Sequence, residues 1–372
     1  MKNISAKIQI IVFALLILVP AVLFVALPDR DFSDKENRVL KSLPTLNAET
    51  LTSGKFTSEF ETYTADQFPF RDGWVAAKAW SERLSGKTEN NDVYFCSDGV
   101  LIGHFDAPSQ KQISSNIYAV NTFAENTGAN VYFSLIPGAV SVWKDKLPAN
   151  APAADQQRII DEIYSQVKCT TVDNSAVLRA HSDEYIYYHT DHHWTSLGAY
   201  YGYTALSQAL GNTPQPLSAF QPVNVTEDFY GTLYSSSGVR WLPSEPIQRF
   251  VSDEGIKVTQ LSGEKSQEGV MYDTSKLEVK DKYSYFFGGN TALMRIDTNV
   301  PGGTSLLVIR DSYSDCELPF LTADYSTIYV MDLRYYKENV QNFIAENKID
   351  DVVINYSVTN FTSDINILLL SL

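Results

Sequence analysis

Short apolar segments alternate with segments of helical spacing along most of this chain of 372 residues, and this alternation limits the folds that are open to it. Val131–Ile136, Ser305–Ile309 and Val352–Tyr356 have the pattern of buried strands, and Ser196–Leu210 has that of a helix. Strands that are apolar throughout, with helices between them, are typical of a parallel sheet that is covered on both faces. The sequence therefore predicts an α/β fold with a parallel sheet flanked by helices.

The N-terminus carries a long apolar segment, Ile8–Leu27, broken only by one glutamine and one proline. Roughly 20 apolar residues can span a bilayer as a helix. Because no small-x-small cleavage motif precedes Pro28, an uncleaved anchor is favoured over a signal peptide. Lys2 and Lys7 place the short N-terminal side in the cytoplasm. Everything after Pro28 is then expected outside the cytoplasm.

The expected organisation has three parts. A signal anchor or transmembrane segment covers residues 1–28, and a polar juxtamembrane linker covers residues 29–46. One domain covers residues 47–372. Within it, residues at about 220–296 break the alternation with glycines and short aromatic and polar runs. This stretch is predicted to be a strand- and loop-rich insertion and not a separate domain.

Composition removes some classes of function. The formal net charge of −15 argues against a nucleic-acid partner, because binding to phosphates needs a basic surface. Cys96, Cys169 and Cys316 are widely spaced and form no CxxC pair, so they do not suggest a zinc or redox motif.

Three of the five histidines lie in one run, Tyr188–Trp194, around Asp191. Histidine has an unperturbed pKa near neutrality and serves as a general base or a metal ligand. A strand predicted at Tyr185–Tyr188 leads into this run, and the strand Ser305–Ile309 leads to Ser312. In open parallel sheets, ligands bind beyond the carboxyl ends of the strands, so these two loops are expected to meet at one rim.

The chemistry expected there is that of a serine nucleophile. Ser312 would attack, His193 would act as its general base, and Asp191 would orient the imidazole. The alternative for Ser312 is that it merely caps a helix, as many serines after strands do.

Other residues of the two loops are candidates for supporting roles. His192 is expected to have a structural role or to support the site residues without contacting the substrate. Trp194 is expected to pack beneath the loop. The backbone N–H of Tyr313 and the side chain of Asn355, at the end of a strand in the same sheet, are the candidate donors to an oxyanion.

A metal site is the competing interpretation of the histidine run. His189, Asp191, His192 and His193 are all acceptable zinc ligands. Metal sites of this kind usually need further ligands from distant loops, and only His104 and His181 remain as histidines. Neither a metal nor another cofactor is therefore expected.

Several short blocks resemble one bacterial family. Thr190–Thr195 (Thr-Asp-His-His-Trp-Thr) looks like the signature of the DHHW family of envelope proteins. These are similar to the alginate O-acetyltransferases, whose catalytic domain is an SGNH-hydrolase-like fold in permuted order. Further blocks that resemble the family, in the same order, are Asp66–Asp72, Asn91–Phe95, Gly288–Asn290, Asp311–Ser314 and Asp332–Tyr336.

The resemblance implies roles for particular residues. The Asp-x-His motif of the acetyltransferases corresponds to Asp191 and His193, and their nucleophile corresponds to Ser312. Arg310 departs from the pattern, since a glycine would be expected before the Asp-Ser pair.

The function expected on these grounds is that of a polysaccharide O-acetyltransferase or acetylesterase of the cell envelope or the extracellular matrix, working through an acyl-enzyme. A metal-dependent hydrolase and a non-catalytic scaffold of a modification or export complex are the alternatives. The expected partners are a polysaccharide acceptor and a polytopic membrane acyltransferase that supplies acetyl groups. The expected location is the extracytoplasmic side of a bacterial membrane, at the cell surface or in the periplasm.

Overall fold

The computed structural model of the chain describes residues 2–263, 265–302 and 304–372. These residues form two compact units. The first runs to Asn91 and includes Ser235–Trp241; the second comprises Asp92–Tyr234 and Leu242–Leu372. The division lies well beyond the expected linker, because the helices that follow residue 47 bond to the segment directly after the anchor.

The first unit begins with the helix α1 (Lys2–Ala26). Its portion Ile4–Ala26 has a mean hydropathy of 3.0 and is not buried, so it is long and apolar enough to cross a membrane. The unit continues with β1 (Phe32–Ser33), β2 (Arg38–Val39), α2 (Ala48–Thr52), α3 (Lys55–Asp66), α4 (Arg71–Leu84) and β3 (Glu89–Asn90).

The helices α3 and α4 are separated by residues 67–70. Pro69 has no N–H to donate and cannot continue the helix. Phe70 then adopts a left-handed backbone with φ of 57°, which is uncommon for a residue other than glycine.

The second unit contains the sheet. Its helices are α5 (Gln110–Asn126), α6 (Ala139–Val142), α7 (Gln156–Tyr164), α8 (Asn174–Ala180), α9 (Ser196–Ala209), α10 (Thr232–Ser237, shared with the first unit), α11 (Leu318–Leu321), α12 (Val340–Asn347) and α13 (Val358–Ser363). Its strands are β4 (Val93–Phe95), β5 (Leu101–Gly103), β6 (Asn130–Ile136), β7 (Thr170–Val172), β8 (Val223–Phe229), β9 (Glu245–Arg249), β10 (Lys257–Ser262), β11 (Lys265–Gly269), β12 (Leu293–Asp297), β13 (Ser305–Arg310), β14 (Thr327–Met331) and β15 (Asp351–Ser357).

Eight of the described strands form one sheet, in the order β11-β10-β12-β14-β13-β15-β6-β7. The five strands from β14 to β7 are parallel, and β12, β10 and β11 extend the sheet in antiparallel fashion. All seven residues of β15 are buried, although successive side chains point to opposite faces, so this strand is covered on both sides. The predicted parallel sheet with helices is confirmed.

The strand predicted at Tyr185–Tyr188 is wrong: the backbone there makes only one bridge, Tyr187 to Trp194, across the histidine loop. Ile186, Tyr187 and Tyr188 are buried in the core instead, and Tyr185 is half-buried. The stretch at about 220–296 contains β8 to β12, of which the last three belong to the main sheet.

Candidate active site

Ser312 lies just beyond the carboxyl end of β13, at the start of a short 3₁₀ helix. Asp311 caps this helix, because its Oδ1 accepts the N–H of Tyr313 at 3.0 Å. Its Oδ2 accepts the N–H of Ser357 at 2.9 Å, the hydroxyl of Ser357 at 2.7 Å and Nδ2 of Asn360 at 2.7 Å. The turn that carries Ser312 is therefore tied to the end of β15.

The structure brings Ser312, His193 and Asp191 into a line. Nε2 of His193 lies 2.9 Å from Oγ of Ser312, and Nδ1 lies 2.6 Å from Oδ1 of Asp191. The backbone N–H of His193 donates to the same Oδ1 at 3.0 Å. A hydroxyl, an imidazole and a carboxylate in this order can move a proton from the hydroxyl to the ring and stabilise the resulting imidazolium.

Asp191 is also held from the side of α10. The N–H of Thr232 donates to Oδ2 at 2.6 Å, and its hydroxyl donates at 3.0 Å. The backbone of Gly231 approaches so closely that a Cβ there would lie 2.2 Å from Cβ of Asp191. Only glycine fits at this position while Asp191 stays in place.

The charge state of Asp191 follows from these contacts. Burial would by itself raise the pKa of its carboxyl. The neighbouring His192 and His193, together with the N–H of Thr232, more than offset burial and hold the pKa well below its ordinary value. The carboxyl is therefore ionised at neutral pH, as a group that orients an imidazolium must be.

A second buried carboxylate shapes the histidine loop. Glu245, in β9, accepts the N–H of His189 at 2.6 Å, the N–H of Thr190 at 2.7 Å and the hydroxyl of Tyr185 at 2.6 Å. These backbone donors lie inside a loop with little regular structure, so Glu245 replaces the bonds that a strand would supply.

The imidazole of His193 is fixed by aromatic rings. Tyr283 stacks on it with ring centroids 3.9 Å apart and an angle of 10° between the planes. The hydroxyl of Tyr283 donates to the backbone oxygen of Ser312 at 3.1 Å. Trp194 is buried, and its indole N–H donates to the backbone oxygen of Tyr313 at 2.7 Å.

His192 differs from its neighbour in its surroundings. Its side chain is 43% exposed, whereas that of His193 is 6% exposed. Nδ1 of His192 lies 2.7 Å from the hydroxyl of Thr232, which itself contacts Asp191. His192 therefore contacts Asp191 both directly, with Nδ1 3.4 Å from Oδ1, and through Thr232, and it makes no hydrogen bond with Ser312 among the described residues.

Both donors that the sequence suggested for an oxyanion have other acceptors. The N–H of Tyr313 donates to Asp311. Nδ2 of Asn355 donates to the hydroxyl of Ser314 at 2.9 Å and to Oε2 of Glu317 at 2.6 Å. Asn355 is buried beneath the turn that carries Ser312 and so supports that turn from below.

Arg310 is fully buried and connects three segments that are distant from one another in the sequence. Its Nη2 lies 3.0 Å from Asp315, and its Nη1 lies 2.9 Å from Oδ1 of Asn290 and 3.6 Å from Asp332. Arg334 contacts Asp332 at 2.6 Å. Burial raises the pKa of Asp315 to about 7, and Arg310 opposes that rise. Arg310 thus links the turn that carries Ser312 to the end of β14. This link explains why an arginine occupies the position before the Asp-Ser pair.

Glu317 is a buried acid beside Asn355. Burial raises the pKa of Glu317 from its ordinary 4.5 to about 8, and the hydrogen bond from Asn355 opposes the rise. Glu317 is therefore protonated in the folded protein at neutral pH, whereas it is ionised in the unfolded chain.

This difference predicts a pH-dependent stability. Between pH 4.5 and about 8 the folded protein holds a proton that the unfolded chain releases, so the free energy of unfolding should fall as pH rises through that window. The slope from this one group is at most about 1.4 kcal/mol per pH unit. Glu317→Gln, which stays neutral, should remove that slope in chemical denaturation across the window. An unchanged slope in the variant would contradict a protonated Glu317.

A small cleft opens on the side of Asp191 and His192, and its lining includes neither Ser312 nor His193. It has a volume of about 170 Å³ and is bordered by segments that follow β6, β13 and β15. Its lining includes Gly138, Ala139, His192, Tyr313, Ser357 and Asn360. The cleft therefore lies beyond the carboxyl ends of the parallel strands. This is the edge of the sheet at which the sequence predicts a ligand site.

Three of the four candidate metal ligands lie close together. Ligand atoms of Asp191, His192 and His193 are within 4.8 Å of one another. His189 is not in this group, and its ring instead contacts Trp143 at a centroid distance of 5.8 Å. Both ring nitrogens of His193 already contact Asp191 and Ser312, which leaves that ring poorly suited to hold an ion.

Thr232, Glu245 and Tyr283 were missed by sequence reasoning. All three lie in the stretch at about 220–296, where no periodic pattern indicates which side chains point inward. The one available signal was Gly231, directly before Thr232, since an isolated glycine often marks a close approach of the backbone.

Comparisons with known proteins agree with this architecture. A probable alginate O-acetylase, AlgJ, of Pseudomonas syringae pv. tomato is 24% identical over 213 residues, which are 53% of this chain and 53% of AlgJ. The chain thus spans about half the length of the curated relatives it matches.

Solved structures show the same fold. A DHHW family protein from Eubacterium siraeum has a TM-score of 0.66 at 25% identity, over 76% of this chain and 95% of that one. PatB1 of Bacillus cereus, solved with a sulfonyl adduct, has a TM-score of 0.61 at 16% identity, over 74% and 96% of the two chains.

The profile of the family described as DHHW protein matches residues 91–331, which is well over half of the chain. The matched stretch contains the histidine loop, β13 and the turn that carries Ser312. This chain belongs to the DHHW protein family.

Proposed function

We propose that this protein is an O-acetyltransferase or acetylesterase that acts on a polysaccharide of the cell envelope or the extracellular matrix. The observation that carries the proposal is the line of Ser312, His193 and Asp191, with contacts of 2.9 and 2.6 Å. The likeness to a probable alginate O-acetylase supports the acetyl group and the polysaccharide as substrate classes. Proposed partners are a polysaccharide acceptor and a polytopic membrane acyltransferase as the source of acetyl groups.

The proposed reaction has two halves. Oγ of Ser312 attacks the carbonyl carbon of an acetyl donor while Nε2 of His193 takes the hydroxyl proton. The tetrahedral intermediate collapses, the bond to the leaving oxygen breaks, and His193 returns the proton to that oxygen. An acceptor hydroxyl then gives its proton to His193 and attacks the carbonyl carbon of the acetyl-serine. The second tetrahedral intermediate collapses, its bond to Oγ of Ser312 breaks, and His193 returns the proton to Oγ. A sugar hydroxyl as acceptor makes the protein a transferase, and water makes it an esterase.

The size of the cleft favours a small acyl group. Sites that enclose a whole small-molecule ligand usually have a volume of about 300–1,000 Å³. The cleft that borders Asp191, His192 and Tyr313, the neighbour of Ser312, has about 170 Å³, which suits an acetyl group and leaves most of a polymer outside.

The oxyanion needs donors other than those expected from the sequence. We assign the backbone N–H of Ser312 and the second hydrogen on Nδ2 of Asn360, which lines the cleft and gives its first hydrogen to Asp311. Asn360→Ala should lower kcat by about 100-fold or more, as the loss of one such donor typically does. Ser357→Ala is the control: it removes a donor to the same Oδ2 of Asp311 and also the hydroxyl that accepts the N–H of Asn360, so its loss is an upper bound on the cost of weakening the support of Asp311. Equal losses in the two variants would mean that Asn360 acts only through Asp311.

The basic test of the proposal is ester cleavage by the purified protein. It should release acetate from a chromogenic acetyl ester, and an acetylated peptide containing Ser312 should be trapped by rapid acid quench and mass spectrometry.

The same assay decides between the serine and the metal chemistry. Activity should survive prolonged chelation, because both nitrogens of His193 are engaged with Asp191 and Ser312. Loss of activity on chelation, with recovery on adding zinc, would instead favour the metal-dependent hydrolase. Absence of any acetyl-enzyme with several esters, together with intact polymer acetylation in a Ser312→Ala strain, would favour the scaffold.

A further inference from the structure

The loop between α3 and α4 is bonded to the chain directly after α1. Gln67 makes two backbone hydrogen bonds with Arg30: Oε1 accepts its N–H at 2.9 Å, and Nε2 donates to its oxygen at 2.9 Å. Nε2 also donates to the oxygen of Lys41 at 3.1 Å. Arg30 and Asp72 form an ion pair at 3.2 Å. The loop thus has a fixed position relative to residues 28–30.

The end of α1 itself contacts the same part of the unit. The ring of Phe24 packs edge-on against Tyr63 of α3, with centroids 5.7 Å apart. The hydroxyl of Tyr63 donates to Asp29 at 3.0 Å. Leu27 and Pro28 line one groove together with the residues from Gln67 to Gly73. The loop therefore lies at the C-terminal end of the apolar helix.

Three large aromatic side chains are exposed here. Phe70 is 73% exposed, Trp74 is 51% exposed and Phe68 is 38% exposed. The rings of Phe68 and Trp74 contact each other at 6.3 Å. The left-handed backbone of Phe70 is a strained conformation for an aromatic residue, and it keeps a large apolar ring in solvent. An exposed apolar cluster of this kind marks an interaction surface.

We infer that Phe68, Phe70 and Trp74 lie in the interface of the outer leaflet and seat the first unit on the membrane. The inference rests on the proposed membrane position of α1. The membrane is the partner that this surface fits, because the cluster lies at the end of the apolar helix. At that end the chain must leave the hydrocarbon core of the bilayer. Aromatic side chains are enriched at that depth, where an apolar ring meets the headgroups.

The charges of the loop fit this position. Arg71 pairs with Glu36, Arg38 pairs with Asp66, and Arg30 pairs with Asp72. The ionic groups around the cluster are therefore matched within the protein, and the rings can enter the interface without carrying an unpaired charge with them.

The test uses the full-length protein in nanodiscs of phosphatidylcholine that is brominated either near the headgroup or near the bilayer centre. Bromine quenches tryptophan fluorescence at short range. The lipid brominated near the headgroup should quench the wild-type protein, and Trp74→Phe should lose that quenching. Trp80→Phe is the matched control: Trp80 is on the same helix, is 46% exposed and contacts Trp241 with the ring planes tilted by 40°. It should keep the quenching.

A second variant examines the loop itself. Phe70→Asn removes the apolar ring but tolerates the left-handed backbone, so the loop should keep its fold. Quenching of Trp74 by the headgroup-brominated lipid should then decrease, because the neighbouring ring no longer holds the loop in the interface.

The outcomes separate the two underlying claims. Protein that fails to stay with the discs in high salt would overturn the membrane position of α1, and this inference with it. Protein that stays with the discs but whose Trp74 escapes quenching would overturn the interface assignment alone and indicate that a protein partner covers the cluster. Quenching lost in Trp80→Phe and retained in Trp74→Phe would also overturn it.

Discussion

Ser312→Ala should abolish the acetyl-enzyme and lower kcat by a factor on the order of 10⁴ to 10⁶, as in other enzymes whose nucleophile acts with a histidine. No other hydroxyl lies within hydrogen-bonding distance of Nε2 of His193 among the contacts of the described residues. His193→Ala should cost about as much, and the double variant little more, because the two side chains act as one unit. Steady-state kinetics with a chromogenic acetyl ester would measure all three.

The neighbouring residues supply the controls for this experiment. Asp191→Asn should be severe because it disturbs the tautomer and orientation of His193, and about 10⁴-fold is typical of such a change. His192→Ala should be milder, because His192 contacts Asp191 and Thr232 but makes no hydrogen bond with Ser312 among the described residues. Each variant should be shown to fold by circular dichroism. A folded, fully active His193→Ala beside an inactive His192→Ala would move the base by one residue and contradict the proposed mechanism.

Arg310→Met should lower the free energy of unfolding by about 3–5 kcal/mol, the usual cost of leaving a buried charge without its partner. Methionine fills part of the volume of arginine but leaves Asp315 and part of Asp332 unpaired in the core. Chemical denaturation at neutral pH would measure the loss.

Two further variants separate charge from packing at Arg310. Adding Asp315→Asn to Arg310→Met should recover part of the stability, since it removes the unpaired carboxylate. Arg334→Met should cost less than Arg310→Met, because the side chain of Arg334 is 34% exposed and that of Arg310 is fully buried. If Arg310→Met matched the wild-type protein in stability, the buried network would have no structural role.

The sequence was most informative where a local pattern determines the structure. β13 and β15 each contain an apolar run, Leu306–Ile309 and Val352–Ile354, and the pattern predicts them because both faces of these strands are buried. The strand predicted at Tyr185–Tyr188 is wrong, because the histidine loop buries Tyr187 and Tyr188 without pairing in a sheet. The residues that form the central line of the site could be named because they stand in short, chemically unusual runs.

The contacts that hold that line could not be predicted. Tyr283 stacks on a ring 90 positions earlier in the chain, and Glu245 binds backbone groups more than 50 positions away. Such contacts depend on how irregular segments cross each other, for which no periodic signal exists. The other acceptors of the donors named for the oxyanion could not be predicted for a related reason, because the sequence does not reveal that Asp311 and Glu317 accept from them.

The stretch at about 220–296 has a consequence for how this family can diversify. It supplies Gly231, Thr232, Glu245 and Tyr283. These residues contact Asp191, the histidine loop and the ring of His193. An irregular stretch beside a cleft would normally be free to vary and to tune which ligand is accepted. Here such variation is constrained, because the same backbone positions Asp191 and His193. Chimeras that exchange this stretch between family members should therefore lose turnover with every substrate, unless these four residues keep their positions. Substrate selectivity and reaction rate would then have to evolve together.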